Sequence, residues 1–249
     1  MILVTGATGR LGGAVVDQLL ERIDAAEIAI LARDPAKAED LAGRGVSVRT
    51  GDYYDTASLA RAMDGVDRVV MVASNQPQRR MQQHQDVIDA AVSAGVSVFG
   101  FTSRALTNIE SSRNQLMRDY FDTEQLIQRS GLRSLIFRNA LYLDTQPDYF
   151  GGAQVFEGGI CAPAGPSTGL SEALGKPVEY QDVSEEEFVA DAVARGLPAA
   201  LARRTLGFLA DMRDGQLDET SSDLVTLLGR EPAGLTEGLR EVFALTQPL

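Results

Sequence analysis

A glycine-rich turn near the amino end constrains the fold of this chain more than any other feature. Gly6, Gly9 and Gly12 lie three residues apart, after the apolar run 1–4 and before an amphipathic segment that reaches Ile23. This pattern predicts a strand, a tight turn and a helix. The first glycine supplies backbone freedom, the second lets a pyrophosphate approach the main chain, and the third lets the helix pack closely on the strand. We therefore expect a phosphate-binding turn in an α/β fold, with a purely structural turn as the alternative.

Length and charge narrow the classes of function. The 249 residues are enough for one α/β domain with a small additional lobe. The formal net charge of −12 argues against a nucleic-acid or membrane-surface role, because both need a basic face. The single cysteine, Cys161, cannot form an internal disulfide, and one cysteine with one histidine argues against a zinc site. We expect a cytoplasmic protein with no metal, no signal peptide and no membrane segment.

The end of the second strand bears on the choice of cofactor. The apolar run 28–32 is followed by Arg33, Asp34 and Pro35. At this place in a dinucleotide-binding fold, a carboxylate binds the ribose 2′-hydroxyl of NAD, whereas an arginine favours the 2′-phosphate of NADP. Asp34 precedes a proline that suits the first helical position, so it is predicted to cap the next helix. Arg33 is then left to bind a phosphate, unless it is a solvated surface arginine. The sequence favours NADPH over NADH.

Polar residues follow the third and fourth predicted strands, 46–49 and 68–73. Ligands of doubly wound sheets bind just beyond the carboxyl ends of the strands. Asp52 and Tyr53 could therefore lie beside an adenine ring, although a simple turn carboxylate is an equal alternative for Asp52. The stretch after the fourth strand, Ser74–Pro77, carries small polar residues that could line the nicotinamide side of the crevice.

Two further positions carry groups capable of chemistry. His84 is the obvious general acid, but it precedes an apolar helical face, and a role at the helix start is favoured over catalysis. Thr102 and Ser103 follow the fifth predicted strand, 97–101. Their hydroxyls could bind the substrate or cofactor, or they could cap the turn.

Several stretches together resemble a known family. They are 5–9, 33–38, 51–53, 89–91 with 94–96, and 138–142. On them the chain resembles the NmrA-like atypical short-chain dehydrogenases/reductases, most closely the type 2 NADPH:quinone oxidoreductases and triphenylmethane reductases. The similarity covers residues 1 to about 160 and about 174 to 245. It implies a Rossmann-type doubly wound parallel sheet and hydride transfer from NADPH to a quinone or similar conjugated acceptor.

The resemblance also implies domains and partners. The NADP-binding Rossmann domain would span residues 1–146. A smaller, mainly helical substrate lobe would span residues 147–249 and be interleaved with the first domain. The partner would be a small aromatic or quinone substrate, and we also consider a homodimer. The alternative is a non-catalytic NAD(P)-binding redox sensor or regulator, and a carbonyl or sugar reductase or epimerase is less favoured.

The resemblance implies site residues by position. The pyrophosphate would contact Gly6, Thr8, Gly9, Arg10 and Leu11. The 2′-phosphate would contact Arg33, and the adenine would contact Asp52 and Tyr53. The nicotinamide ribose would lie near Ala73, Ser74, Asn75 and Thr102. The implied catalytic residues are Asn139 and Tyr142, which follow the sixth predicted strand and would face the nicotinamide and the substrate.

The chain departs from the family at two places. Tyr120 is followed four residues later by Glu124, so the Tyr-x-x-x-Lys pair usual in short-chain dehydrogenases, which the branch that this chain resembles generally lacks, is not formed, and a carboxylate would not lower the tyrosine pKa. Core packing is an equal explanation for Tyr120. After Pro166 the chain is too short for the strand–helix–strand module that the family has, because a parallel crossover needs a dozen or more residues. The module is either deleted or missing from the sequence as given.

Overall fold

The structure is a computed structural model that describes most of the chain. The described residues are 1–74, 76, 78–109, 112, 114–140, 142, 160–163, 169–175, 177–218 and 221–243. The chain divides into two compact units. The first unit contains Met1–Arg104 and Gln115–Asn139, and the second contains Ala105–Asn114 and Ala140–Leu249.

The first unit is built on a parallel sheet of six strands. These are β1 (Ile2–Thr5), β2 (Ile28–Ala32), β3 (Ser47–Thr50), β4 (Arg68–Met71), β5 (Val98–Arg104) and β6 (Arg133–Asn139). Their order is β3-β2-β1-β4-β5-β6, and every neighbouring pair is parallel. The expected Rossmann-type doubly wound sheet is confirmed. The order reverses at β1, because β2 and β3 lie on one side of it and β4 to β6 on the other.

Helices cover both faces of this sheet. They are α1 (Arg10–Leu20), α2 (Glu39–Gly43), α3 (Thr56–Ala62), α4 (Arg80–Ser93) and α5 (Gln115–Arg129), with short 3-10 turns at Ala25–Glu27 and Pro35–Ala38. Successive strand residues point to opposite faces, so Leu3 and Val4 belong to two separate apolar clusters. The cluster around Val4 includes Val16 of α1, and the cluster around Leu3 includes Ile88 of α4. Burial on both faces explains why β1 and β2 are almost uniformly apolar.

β5 is longer than the sequence predicts. It continues through Thr102 and Ser103 to Arg104, because these residues pair in register with Phe137, Arg138 and Asn139 of β6. Both hydroxyl residues are therefore buried within the sheet, and they do not lie in a loop beyond it.

The second unit has a small parallel ribbon and several helices among its described residues. The ribbon pairs β7 (Ile160–Cys161) with β8 (Tyr180–Gln181). The helices are α6 (Gly169–Leu174), α7 (Glu185–Ala194), α8 (Ala199–Arg213), α9 (Asp223–Leu228) and α10 (Leu235–Val242). Phe188, Leu209 and Leu239 form the centre of its apolar cluster. Ser184 and Glu187 form a capping box at the start of α7.

The boundary between the units differs from the predicted one after residue 146. It falls at Asn139, and the second unit also includes residues 105–114. That segment joins the second unit through Gln216, whose backbone carbonyl accepts a hydrogen bond from Thr107 N–H and whose side-chain Oε1 accepts one from Asn108 N–H, both at 2.9 Å. These bonds link residues more than a hundred positions apart, so local patterns do not reveal them. The assignment of a cofactor domain and a substrate lobe stays a prediction.

The glycine turn after β1 has the expected geometry. Gly6 has a φ of +63°, a conformation that side chains with a Cβ rarely adopt. Gly12, in the first turn of α1, packs directly on the backbone of the turn. A Cβ at Gly12 would lie 2.5 Å from the carbonyl carbon of Gly6 and 2.8 Å from the Cα of Ala7. The third glycine of the motif therefore allows the close approach of α1 to β1.

We predict that Gly12→Ala destabilises the protein severely, by at least about 3 kcal/mol, because the new methyl group would overlap backbone that cannot move away. Gly13→Ala is the matched control, since its Cβ would lie 3.4 Å from the carbonyl oxygen of Ala7 and alanine favours a helix. Urea unfolding of the two variants measures the difference. Equal stability of both variants would contradict the packing argument.

Candidate active site

A crevice lies at the carboxyl ends of β1 and β4, where the strand order reverses. Ligands of open α/β sheets bind at this topological switch point. The cavity has a volume of about 350 Å³ and lies within the first unit. Most of the predicted cofactor residues line it: Gly6, Thr8, Gly9, Arg10, Leu11, Arg33, Asp52, Tyr53, Ala73 and Ser74.

Some predicted residues do not line this cavity, and some residues that line it were not predicted. Among the described residues that line the cavity, Thr102, Asn139 and Tyr142 do not appear. Asn75 lies outside the described residues. The residues that sequence reasoning did not assign to a ligand are Gly12, Leu31, Val72 and Gln83. Gln83 belongs to α4, and only the docking of α4 on the sheet brings it to the crevice. The position of Val72 directly after β4 is the sequence feature that could have predicted its place in the crevice.

The amino end of α1 forms the anion-binding part of the crevice. Gly9 is the N-cap and has no side chain to bond the first turn, and the first turn of α1 carries no acidic residue. The first N–H groups of an α-helix lack intrahelical acceptors, and the helix dipole places partial positive charge there. Arg10 adds a full positive charge at the same wall. This end of the cavity therefore favours a negatively charged group such as a pyrophosphate.

The two residues after β2 have different roles, as the sequence predicts: Asp34 caps the next turn, and Arg33 lines the cavity. The carboxylate of Asp34 accepts a hydrogen bond of 3.1 Å from Ala36 N–H and caps the 3-10 turn that begins at Pro35. Arg33 is exposed and lines the cavity. Among the described residues no carboxylate forms an ion pair with Arg33. Its guanidinium can therefore bind an anion in the crevice.

Asp52 and Tyr53 lie at the end of the crevice that follows β3. One carboxylate oxygen of Asp52 accepts a hydrogen bond of 3.1 Å from Tyr54 N–H, so Asp52 both organises its turn and lines the cavity. The hydroxyl of Tyr53 donates to the carbonyl of Val72 at 3.4 Å. Burial raises the pKa of Tyr53 to about 12, so this phenol remains protonated and acts as a fixed donor.

The residues directly after β4, Val72–Ser74, form another wall, here called the β4 exit segment. Each of its N–H groups donates to a side chain from a different element. Val72 N–H donates to Thr5 Oγ1 at 3.0 Å, and Ala73 N–H donates to Thr102 Oγ1 at 3.1 Å. Ser74 N–H donates to His84 Nε2 at 2.9 Å. Thr102 thus supports the wall from behind.

His84 is fully buried in the second turn of α4, so the expectation that it starts the helix is wrong by one turn. Its Nδ1 lies 2.7 Å from Thr123 Oγ1, and its ring packs edge-on against Phe101 with the ring centres 5.6 Å apart. Burial, with the nearby charge of Arg80, lowers the pKa of His84 to about 3. His84 is therefore neutral near pH 7.

Glu124 occupies the position of the lysine in the Tyr-x-x-x-Lys pair that is usual in short-chain dehydrogenases. It is buried and accepts a hydrogen bond of 2.5 Å from the Ser103 hydroxyl. Arg138 pairs with it through Nη2 at 2.6 Å and Nε at 3.1 Å. The ring of Tyr120 packs on Phe101, with ring centres 6.1 Å apart. Packing therefore explains Tyr120 in this unit, and Glu124 secures the carboxyl ends of β5 and β6.

The two predicted catalytic residues belong to different units. Asn139 is the last residue of β6 and is half-buried, directly after the Arg138 that Glu124 binds. Tyr142 is half-buried and belongs to the second unit. Their catalytic roles stay predictions.

The described part of the chain lacks two other classes of site. It contains no group of three or more histidine, cysteine, aspartate or glutamate side chains that could hold a metal ion. None of its helices combines the length and the apolar character needed to cross a membrane.

Comparisons with known proteins agree with this geometry. A family described as NAD(P)H-binding matches residues 6–158. Quinone oxidoreductase 2 of Escherichia coli strain K12 is 31% identical over 284 residues, an alignment that covers 98% of this chain and 99% of the relative. Because this chain has 249 residues, at least 35 residues of the relative lack a counterpart here. The sequence indicates a shortened stretch after Pro166, either deleted or missing from the sequence as given, and this stretch begins outside the described residues.

Two solved structures are similar over nearly the whole chain. The Escherichia coli NADPH-dependent quinone oxidoreductase QOR2, solved with NADPH, has a TM-score of 0.89 and 28% identity, covering 98% of this chain and all of that one. The triphenylmethane reductase of Citrobacter sp., solved with NADP(H), has a TM-score of 0.87 and 29% identity, covering 97% of this chain and all of that one.

We predict that His84 makes stability depend on pH below about 6.5. The unfolded chain takes up a proton near pH 6.5, whereas folded His84 resists protonation until about pH 3. The stabilisation is therefore complete above pH 6.5 and decreases by about 1.4 kcal/mol per pH unit below it, or roughly 2 kcal/mol between pH 7.5 and 5. His84 is the only histidine, so the pH dependence of urea unfolding in wild type minus that in His84→Gln isolates this effect. Parallel curves for the two proteins would contradict it.

Proposed function

This chain belongs to the NAD(P)H-binding family, and we propose that it is an NADPH-dependent reductase that transfers hydride to a quinone or similar conjugated acceptor. The observation that carries the proposal is the crevice at the switch point, which joins an anion-binding helix end to an exposed arginine after β2. Relatives with the same fold over nearly the whole chain are named as quinone and triphenylmethane reductases.

The turn after β1 fits the pyrophosphate of the cofactor. The missing Cβ of Gly12 brings α1 close to β1, and the uncapped first turn of α1 then faces the crevice. In our proposal Gly6, Thr8, Gly9, Arg10 and Leu11 hold the pyrophosphate. Hydrogen bonds from main-chain N–H groups to phosphate oxygens are charge-assisted and stronger than neutral ones.

Arg33 is proposed to select NADPH over NADH. Its guanidinium lies on the crevice wall directly after β2, where the adenosine ribose binds in folds of this type. Asp34 would favour NADH if its carboxylate reached the ribose, but that carboxylate caps the following turn. Asp52 and Tyr53 would then lie beside the adenine. The neutral, hydrogen-bonded phenol of Tyr53 suits contact with an uncharged base.

The nicotinamide end is proposed to lie along the β4 exit segment. Ala73 and Ser74, with Asn75, would contact the nicotinamide ribose, and Thr102 would act through the Ala73 N–H that it binds. Asn139 and Tyr142 are proposed to face the nicotinamide and the acceptor. The bound cofactor supplies the hydride, and the residues of the chain orient the ring against a flat acceptor.

The proposed acceptor also accounts for the missing lysine. Glu124 is neutralised by Arg138 and bound by Ser103, so it is not available to activate Tyr120. A carbonyl substrate would need a strong acid at its oxygen during hydride transfer. A quinone needs it less, because the negative charge delocalises over the conjugated ring and solvent can protonate the oxygen. A non-catalytic sensor is not favoured, since the relatives are named as reductases.

We further propose that the substrate is a small aromatic molecule and that the protein acts in the cytoplasm. The net charge of −12 and the single cysteine support this setting. A homodimer stays a prediction, which light scattering on the purified protein can test.

We predict that Arg33→Ala weakens NADPH binding by roughly 10- to 100-fold and NADH binding by less than threefold, because only NADPH has the 2′-phosphate. Titration calorimetry with both cofactors measures the two effects. Arg68→Ala is the matched control, because Arg68 is exposed at the amino end of β4, away from the crevice, and it should leave both affinities unchanged. Equal losses for NADPH and NADH in Arg33→Ala would refute the proposed phosphate contact.

We predict that the protein oxidises NADPH rapidly in the presence of quinones or conjugated dyes. Stopped-flow absorbance with a panel of acceptors measures the rate. Asn139→Ala and Tyr142→Phe should lower kcat by about tenfold or more with little change in NADPH affinity, because both are proposed to contact the reacting groups. Tight NADPH binding without turnover on any acceptor would refute the enzymatic function.

A further inference from the structure

We infer that His84 is a positioning residue that holds the β4 exit segment in place for the cofactor, and that it does not transfer a proton. The inference rests on the proposed function, because it takes the crevice to be the cofactor site. It concerns a residue that the sequence singles out as the obvious acid, but which lies behind the crevice wall, fully buried.

The β4 exit segment is held by side chains on almost every polar group. β4 ends at Met71, so Val72–Ser74 have no regular strand partner for their backbone. Their three N–H groups donate to Thr5, Thr102 and His84. Buried backbone groups need such partners, and here side chains replace the ladder of the sheet.

Ser74 carries the largest share of these contacts, and all of them come from α4 except the hydrogen bond that its Oγ accepts from Gln76 N–H at 3.2 Å. Its N–H donates to His84 Nε2 at 2.9 Å, and its carbonyl accepts from Arg80 Nε at 2.6 Å. Its hydroxyl donates to Gln83 Oε1 at 2.5 Å. One face of α4 therefore fixes the main chain and the side chain of Ser74, a residue that lines the cavity.

The hydrogen bonds assign the proton on His84. A backbone N–H can only donate, so Nε2 of His84 must accept from Ser74 and carries no proton. The Thr123 hydroxyl donates to the carbonyl of Asp119 at 2.7 Å, so it accepts from Nδ1–H of His84. Both ring nitrogens are thus committed, one as a donor and one as an acceptor. Protonation of Nε2 would break the bond to Ser74.

A second connection anchors α4 to α5. Arg80 Nη1 pairs with Asp119 Oδ2 at 3.1 Å, and both side chains are almost fully buried. Removing one partner from such a pair leaves an uncompensated buried charge. Arg80 and His84 therefore transmit the position of α5 to Ser74 by two routes, one through an ion pair and one through Thr123.

This arrangement has a direct consequence for binding. A catalytic acid must reach the reacting group within hydrogen-bonding distance, and a buried imidazole with both nitrogens engaged does not present a proton to the crevice. Loss of the Nε2 acceptor leaves the Ser74 N–H unsatisfied and allows the wall to shift. A binding wall that shifts by a fraction of an ångström loses its preorganisation.

Two substitutions at His84 distinguish the hydrogen bond to Ser74 N–H from the simple presence of a polar side chain at this position. His84→Gln can place its Oε1 where Nε2 lies and can still accept from Ser74. His84→Asn is too short to reach Ser74, although its amide can still donate to Thr123. We expect NADPH dissociation constants at least tenfold higher for His84→Asn and within threefold of wild type for His84→Gln, measured by fluorescence titration without an acceptor.

A variant on another strand tests the same wall. Thr102→Val keeps the shape of the side chain but removes the acceptor of Ala73 N–H, and should raise the NADPH dissociation constant at least fivefold. Thr205→Val is the matched control, because within the described part of the chain the buried Thr205 hydroxyl bonds the carbonyl of Leu201 in α8 and nothing else. It should leave NADPH affinity unchanged.

A readout without any ligand separates this inference from the proposed function. Hydrogen exchange of the Ser74 amide, followed by NMR, should be slow in wild type and His84→Gln, and at least tenfold faster in His84→Asn. Slow exchange or wild-type affinity in His84→Asn would overturn the inference. So would a tenfold loss of kcat in His84→Gln with NADPH affinity unchanged, which would indicate proton transfer. Failure of turnover in wild type would refute the reductase function and leave the exchange result intact.

Discussion

The crevice depends on the contact between Gly12 and the backbone of the turn after β1. Because Gly12 has no Cβ, the first turn of α1 lies against Gly6 and Ala7, and the free N–H groups of the helix then face the carboxyl ends of β1 and β4. Any larger residue would push α1 away from the sheet and remove the anion-binding end of the cavity. The positive φ of Gly6 allows the chain to make this turn. The remaining walls of the crevice extend from this contact.

The opposite wall is organised by a different principle. Where the regular hydrogen bonds of β4 end, side chains from β1, β5 and α4 bind the backbone of Val72–Ser74. Neutral side chains accept from the three N–H groups, and the Arg80 guanidinium, paired with Asp119, donates to the Ser74 carbonyl. The buried polar residues of the first unit therefore serve mainly to hold binding surfaces, which fits a protein whose cofactor carries the reactive group.

Much of the site was predictable because its signals are local. The Gly6–Gly12 spacing predicts the turn, and the Arg33–Asp34–Pro35 order predicts that Asp34 caps while Arg33 remains available. Both predictions depend on backbone geometry within a few residues. The length of β5 and the domain boundary were less predictable, because pairing with β6 extends β5 and because Gln216 binds residues 105–114 from far along the chain.

The sequence by itself determined the parallel α/β fold, the geometry of the glycine turn and the cap formed by Asp34, since strand periodicity, glycine spacing and capping are properties of neighbouring residues. The tertiary structure alone decided what the polar residues between these elements do. His84 resembles a catalytic acid in the sequence, but it binds Ser74, 10 positions earlier, and Thr123, 39 positions later. Hydrogen bonds between distant residues follow from strand order and helix docking, and no local pattern of amino acids encodes them.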